Sequence, residues 1–187
     1  MEERSDEKLI ADYLRGDEGA LEVLIKRYLK PIYSFSFRFV GNKQEAEDAT
    51  QDVFVKVWRN LKKFDRKKSF KTWIFHIAKN TCIDCLKKKK AIPFSDFQTS
   101  TNRNTVVDSL VDSTSLPDEL FKRIDVAQIL KSAMEKLSPR YSMVLFLRHN
   151  DHFTFQEIAE TMGEPLYTIK SRYRRALIQL RKMLLKQ

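Results

Sequence analysis

The stretch FQEIAETMGEPLYTIKSRYRR, residues 155–175, has the spacing of a helix-turn-helix. Ile158 falls where the first helix must meet the second, and Ile169 falls on the inner side of the second helix. Gly163 can adopt the left-handed conformation that turns the chain between them. Glu164 departs from the motif, because the position after the turn glycine is usually apolar. The pattern predicts two short helices, and it also fits an ordinary helical hairpin with a basic solvent face.

The second of these helices is rich in basic residues. Residues 166–187 contain seven Lys or Arg and no Asp or Glu, whereas a solvated helix face usually mixes both signs. This imbalance favours the DNA-binding interpretation, in which the helix enters a major groove. The outward positions that can reach phosphates and base edges are Lys170, Ser171, Arg172, Arg174 and Arg175.

The N-terminal half has helical periodicity too. Asn42 is a candidate N-cap, and apolar residues then recur at every fourth position from Ala49 to Leu61. Another helix is predicted over residues 70–89. Strand-like alternation is not visible anywhere, so the sequence predicts an all-α protein.

The middle of the chain differs in composition from both halves. Residues 91–117 contain two prolines, nine Ser or Thr and no sustained periodicity, which is typical of a flexible or extended linker. Helical periodicity returns over residues 120–137, and Ser138-Pro139 then has the pattern of an N-cap followed by a first-turn proline. The predicted fold is therefore two small helical domains, 1–92 and 119–187, joined by a flexible linker, 93–118.

Charge and composition exclude several classes of function. The 187 residues carry a net charge of +10, and twelve basic residues against two acidic ones lie between residues 59 and 90. This imbalance points to a polyanionic partner. Neither common glycine-rich nucleotide-binding loop occurs, and no Ser/His/Asp set or carboxylate pair has supporting context, so no catalytic site is predicted. The polar beginning and the lack of a long apolar run predict a cytoplasmic protein with neither signal peptide nor membrane insertion.

Two cysteines form a short motif on the second of the N-terminal helices. Cys82 and Cys85 are three residues apart, which allows a zinc or redox interpretation. A structural zinc needs four ligands, and no second cysteine pair exists. On a helix this spacing also places both thiols on the inner face, where cysteine behaves as a small apolar residue. We therefore expect no metal and no cofactor.

Aromatic residues alternate with the N-terminal basic cluster. Phe64, Phe70, Trp73 and Phe75 lie among its lysines, an arrangement that suits single-stranded nucleic acid because bases stack on rings while ammonium groups bind phosphates. Periodicity favours a core position for most of them. Only Phe70, or residues of the preceding loop 62–69, remain candidates for contacting a base.

Two motifs together make the sequence recognisable. AEDATQDVF, residues 46–54, and FKTWIFHIAKNTCID, residues 70–84, strongly resemble region two of an extracytoplasmic-function (ECF) sigma factor of bacterial RNA polymerase. LSPR, residues 137–140, with EIAETMGEPLYTIKSRYRRA, residues 157–176, resembles region four of the same family. The resemblance covers both predicted domains in the expected order.

The resemblance implies roles for particular residues in the first domain. A helix surface would dock on the clamp helices of the largest polymerase subunit through Asp48, Gln51, Asp52 and Phe54. The next helix and the loop before it would read and melt the minus-10 promoter element, and the candidate residues are Lys63, Lys67, Lys68, Lys71, Asn80, Lys87 and Lys88. Asn80 is the best polar base reader among them.

For the second domain, the resemblance implies recognition of the minus-35 element by Lys170, Ser171, Arg174 and Arg175, with Arg172 partly structural. The expected partners are core RNA polymerase, including its flap, promoter DNA and an anti-sigma factor. The chain would not itself be an enzyme, because any catalysis belongs to the polymerase. Two alternatives remain: a free-standing helix-turn-helix regulator that binds duplex DNA alone, and a nonspecific nucleic-acid coating protein with steep salt dependence.

Overall fold

The computed structural model describes residues 4–91, 129–130, 132–134 and 136–185. Helices are the regular elements of these ranges, and no strand occurs within them, as the all-α prediction requires. The chain divides into two compact units. The first contains helices α1 (Asp6–Leu14), α2 (Glu18–Val40), α3 (Lys43–Asn60) and α4 (Phe70–Ala91). The second contains α5 (Pro139–His149), most of α6 (Phe155–Met162), and α7 (Leu166–Leu184).

The predicted linker lies outside the described residues, and so does most of the helix predicted over residues 120–137. Residues 129–130 and 132–134 of that segment are helical. A short 3-10 helix, Leu61–Lys63, follows α3. None of the helices in the described ranges combines the length and the apolar character that a membrane span requires.

Polar side chains at the helix starts explain where the first helices begin. Ser5 accepts a hydrogen bond from the backbone N–H of Lys8, and Asp17 accepts one from Ala20. Asn42 accepts one from Glu45 at 2.9 Å, which confirms the predicted cap of α3. At the end of α2, Gly41 has a φ of 80°, a conformation that favours glycine.

The core of the first unit lies between α2, α3 and α4. Each pair of these helices is in contact, and α1 packs on α2. The apolar residues that recur at every fourth position are buried, as predicted: Ala49, Val53, Val57 and Leu61 are all at most 2% exposed. The ring of Phe75 on α4 meets the ring of Phe35 on α2 edge-on, with the two centroids 5.3 Å apart.

A polar contact attaches α1 to α2. Asp6 accepts hydrogen bonds from the guanidinium of Arg27 and from the hydroxyl of Tyr28. Burial, together with the adjacent carboxylate, raises the pKa of Tyr28 far above its ordinary value, so its hydroxyl remains a donor. The Tyr28 ring in turn meets Phe70 edge-on at 5.3 Å, which links this contact to the first residue of α4.

In the second unit, α5 packs against α7. Ser138 and Pro139 occupy the N-cap and first helical position of α5, as predicted, although the Ser138 side chain makes no capping hydrogen bond. Between α6 and α7, Gly163 has a φ of 67° and the N–H of Glu164 donates to the carbonyl of Ala159 at 3.0 Å. These features confirm the helix–turn–helix pattern of residues 155–175.

Candidate nucleic-acid interfaces and docking face

The outward face of α7 carries most of the residues expected to contact duplex DNA. Lys170, Ser171, Arg174 and Arg175 are all exposed. At about 100° of rotation per residue they fall within an arc of about 140°. Ile169 and Ala176 lie on the opposite side of the helix and are fully buried. One face therefore packs while the other presents four hydrogen-bonding side chains, three of them cationic.

Arg172 differs from these four. Its side chain is 12% exposed, and its guanidinium donates two hydrogen bonds to Glu164. The distances are 3.0 Å from Nη1 to Oε1 and 2.5 Å from Nη2 to Oε2. The structure thus explains how a carboxylate is accommodated after the turn glycine, where the motif usually has an apolar residue.

Tyr167 was missed by sequence reasoning. It is the second residue of α7 and 75% exposed, and it falls inside the arc that contains Lys170 and Ser171. Residues at the start of a recognition helix are the ones that meet base edges. Placing the start of α7 at Leu166 on a helical wheel would have revealed it.

Most of the docking residues predicted on α3 lie at the surface. Asp48, Gln51 and Asp52 are exposed, and Phe54 is half-buried. Val55 and Trp58, which the sequence analysis missed, are 43% and 56% exposed. Because Gln51, Val55 and Trp58 follow one another at four- and three-residue intervals, they form a stripe along the helix.

The loop before α4 contains the first lysines of the predicted minus-10 set. Lys63, Lys67 and Lys68 are exposed, and Lys71 is half-buried. Asp65 shapes the turn, because its Oδ1 accepts a hydrogen bond from the N–H of Lys67 at 3.0 Å and its carbonyl accepts one from Lys68 at 2.9 Å. The loop is thus a defined turn with adjacent lysines on its surface.

Phe70 is a core residue, so its proposed base contact is wrong. Its side chain is 2% exposed. Its ring lies 5.6 Å from the rings of both Phe64 and Trp73, and it also contacts Tyr28. The ring is therefore enclosed by aromatic neighbours and cannot stack on a base.

Farther along α4, Asn80 is exposed and its Nδ2 lies 3.0 Å from Nε2 of His76. Lys87 and Lys88 are exposed and line a groove of about 410 Å³ between α3 and α4. Asp52 lines the same groove. The end of the predicted minus-10 set therefore adjoins the predicted docking face.

Both cysteines of the short motif on α4 are free thiols, and they differ in burial. Cys82 is fully buried, and burial raises its pKa to about 11. Burial also raises the pKa of the partly exposed Cys85. Burial therefore disfavours the thiolate form, which metal binding and disulfide exchange require. Among the described residues, no group of three or more His, Cys, Asp or Glu is arranged to hold a metal ion.

Two family models of known proteins match this chain, one in each of its two halves. Residues 24–92 match the family model of sigma-70 region 2. Residues 127–180 match that of sigma-70 region 4. These ranges contain the exposed side of α3, the lysines of the loop before α4 and the exposed face of α7.

Two relatives are similar over nearly their whole length. The chain is 31% identical to the ECF RNA polymerase sigma factor SigW of Bacillus subtilis over 178 residues, 95% of each chain. It is 30% identical to the ECF RNA polymerase sigma-E factor of Escherichia coli K12, over 94% of this chain and 92% of the relative. The chain therefore belongs to the ECF sigma factors of the sigma-70 family.

Solved structures share the fold. CnrH in complex with the cytosolic domain of CnrY matches with a TM-score of 0.70 and 21% identity, over 97% of this chain and 98% of that one. The sigma factor RpoE of Bartonella quintana, in complex with the anti-sigma factor NepR, matches with a TM-score of 0.68 and 24% identity, over 88% and 96%.

Proposed function

We propose that this chain is an alternative sigma factor that binds core RNA polymerase and directs promoter-specific initiation of transcription. Residues 1–92 would dock on the polymerase and read the minus-10 element, residues 93–118 would connect the domains, and residues 119–187 would read the minus-35 element. One observation carries the proposal: each unit matches a sigma-70 region and exposes its own cationic surface. Two such surfaces suit a two-part promoter.

The docking face is assigned to α3. Asp48, Asp52 and Gln51 supply exposed acceptors for a basic partner helix. Val55 and Trp58 add exposed apolar area beside them. Interfaces with an apolar centre and charged surroundings combine affinity with correct orientation. The partner surface is the clamp helices of the largest polymerase subunit, and the second unit would contact the flap.

The minus-10 surface is assigned to the loop before α4 and to the exposed side of α4. Its lysines bind the phosphates of the opened strand, while Asn80 reads a base with the amide atoms that its contact to His76 leaves available. Phe70 supports this surface from the core. The assigned residues are Lys63, Lys67, Lys68, Lys71, Asn80, Lys87 and Lys88.

The minus-35 surface is assigned to the exposed arc of α7. Arg174 and Arg175 supply forked donors for guanine edges or phosphates, and Lys170 and Ser171 lie nearer the start of the helix. The exposed ring of Tyr167 extends this surface towards the first base pairs, where it can contact a thymine methyl group.

A protein inhibitor is a further proposed partner. The Bartonella quintana relative with the same fold was solved with an anti-sigma factor. We propose that an anti-sigma factor controls this chain by covering its polymerase-docking face. The chain would act in the cytoplasm with the polymerase and would carry out no catalytic step of its own.

Run-off transcription tests the function directly. Purified bacterial core polymerase is incubated with fragmented genomic DNA, with and without the protein. We expect discrete transcripts only when the protein is present, and the DNA upstream of their starts should share two short elements. Absence of new starts, combined with tight sequence-specific binding of the protein alone to duplex DNA, would instead favour a free-standing regulator.

Removing two loop lysines should weaken the salt dependence of strand binding. In the variant Lys67→Ala/Lys68→Ala, the slope of log K against log salt for a single-stranded minus-10 oligonucleotide should become shallower by about 1.4, because each lost phosphate contact contributes about 0.7. The measurement is a fluorescence-anisotropy titration of the protein with core polymerase at several salt concentrations.

The matched control removes two exposed lysines elsewhere in the first unit, Lys26→Ala/Lys43→Ala. This control should keep the wild-type slope. Equal slopes for the wild type and the loop variant would show that the loop lysines do not contact phosphates.

A further inference from the structure

The ion pair between Glu164 and Arg172 spans the start of α7. Glu164 lies two residues before Leu166, where the helix begins, and Arg172 lies about two turns along it. The two hydrogen bonds between the guanidinium and the carboxylate fix both side chains in one plane. Arg172 must therefore fold back along α7 towards the turn.

This direction removes Arg172 from the DNA-reading arc. On the helical wheel it lies beyond Arg175, between the exposed arc and the buried side that contains Ile169. Its side chain is 12% exposed, whereas the side chains assigned to reading are exposed. Two of the five N–H donors of its guanidinium are directed at Glu164, and this pairing orients the group towards the turn and away from the exposed arc of α7.

The pair also compensates the negative charge of Glu164. Glu164 stands beside the first turn of α7, the part of a recognition helix that approaches the DNA most closely. An unpaired carboxylate there would repel phosphates. Arg172 neutralises the carboxylate and, through the fork, holds the turn at a fixed position relative to the helix.

We propose that Arg172 and Glu164 form a positioning clamp for the recognition helix, and that Arg172 is not a direct DNA contact. The clamp fixes the orientation in which Tyr167 and Lys170 meet base edges, and it cancels the negative charge beside them. This role in minus-35 recognition rests on the proposed sigma function, whereas the clamp itself is a property of the folded second unit.

A double-mutant cycle separates a clamp from a DNA contact. The variants Glu164→Ala, Arg172→Ala and the double variant are compared with the wild type in run-off transcription, on one promoter with its minus-35 element intact and on one with that element replaced. We expect each single substitution to lower the preference for the intact element about fivefold, and the double substitution to cost no more than either one. Arg172→Lys should restore the preference only in part, because lysine has no fork.

A direct DNA contact by Arg172 predicts a different pattern. Glu164→Ala would then leave the preference unchanged or raise it, because it frees the guanidinium and removes a repelling charge, while Arg172→Ala alone would lower it. That result would overturn the proposal.

Hydrogen exchange tests the clamp without depending on transcription. The N–H groups of Thr168 and Ile169 donate to the carbonyl of Pro165 in the first turn of α7. Both single substitutions should accelerate exchange at these two amides severalfold in the full-length protein, and Lys182→Ala, which removes a charge farther along α7, should not. Unchanged exchange in both variants would overturn the clamp, whereas faster exchange with no run-off activity in the wild type would overturn only the sigma function.

Discussion

Reversing the charge of Asp52 should remove most of the promoter-specific run-off transcription. We expect Asp52→Arg to lower it by at least about twentyfold, because a cation at the centre of the docking face would oppose a basic partner helix, and like charges across an interface cost several kcal/mol. Asp52 is exposed and lies on α3 between Asp48 and Val55, so the substitution creates no buried charge. Transcript yield and co-purification with core polymerase are the two measurements.

The matched control makes the same change on another exposed helix. Glu22 on α2 is 66% exposed and pairs with Lys26. Glu22→Arg should keep wild-type transcription, and both variants should keep the wild-type circular dichroism spectrum. If Asp52→Arg transcribed as well as Glu22→Arg, the docking face would have to be placed elsewhere.

Much of the fold follows from the sequence because each helix has local signals. Asn42 caps α3, apolar residues from Ala49 to Leu61 bury one face of that helix, and Gly163 makes the turn that a residue with a Cβ adopts less readily. These signals act over one to four residues, so they can be read without knowledge of tertiary contacts. The attachment of α1 through Asp6 could not be read, because Tyr28 is 22 residues away.

The site was only partly predictable for the same reason. The basic cluster between residues 59 and 90 and the family resemblance indicated the lysines of the loop, and helical spacing indicated the basic face of α7. Helical spacing cannot tell which arginine is already paired. The sequence therefore indicates only a partly structural role for Arg172, and its partner Glu164, which precedes the helix, could not be read from it. The sequence also could not show which aromatic residues are exposed. Trp58 and Tyr167 are exposed and Phe70 is buried, a difference that depends on which helices pack together.

Truncating the buried ring of Phe70 should destabilise the first unit severely. We expect Phe70→Ala to lower the free energy of unfolding by about 3–5 kcal/mol, because it leaves a cavity among Tyr28, Phe64 and Trp73. Phe70→Leu retains more of the volume and should cost less. Urea unfolding followed by tryptophan fluorescence measures this loss, and both tryptophans of the chain, Trp58 and Trp73, lie in the first unit.

An exposed aromatic residue provides the opposite case. Tyr167→Ala also removes a large ring, but that ring is 75% exposed, so circular dichroism should show a change in the free energy of unfolding within about 0.5 kcal/mol. Its effect should appear instead as a weaker preference for the intact minus-35 element. If Phe70→Ala left unfolding unchanged and weakened binding to the single-stranded minus-10 oligonucleotide, Phe70 would be a base contact after all. The two residues are expected to have different roles because they differ in burial. The Phe70 ring, enclosed by the core, stabilises the unit, whereas the Tyr167 ring, exposed to solvent, can meet the DNA.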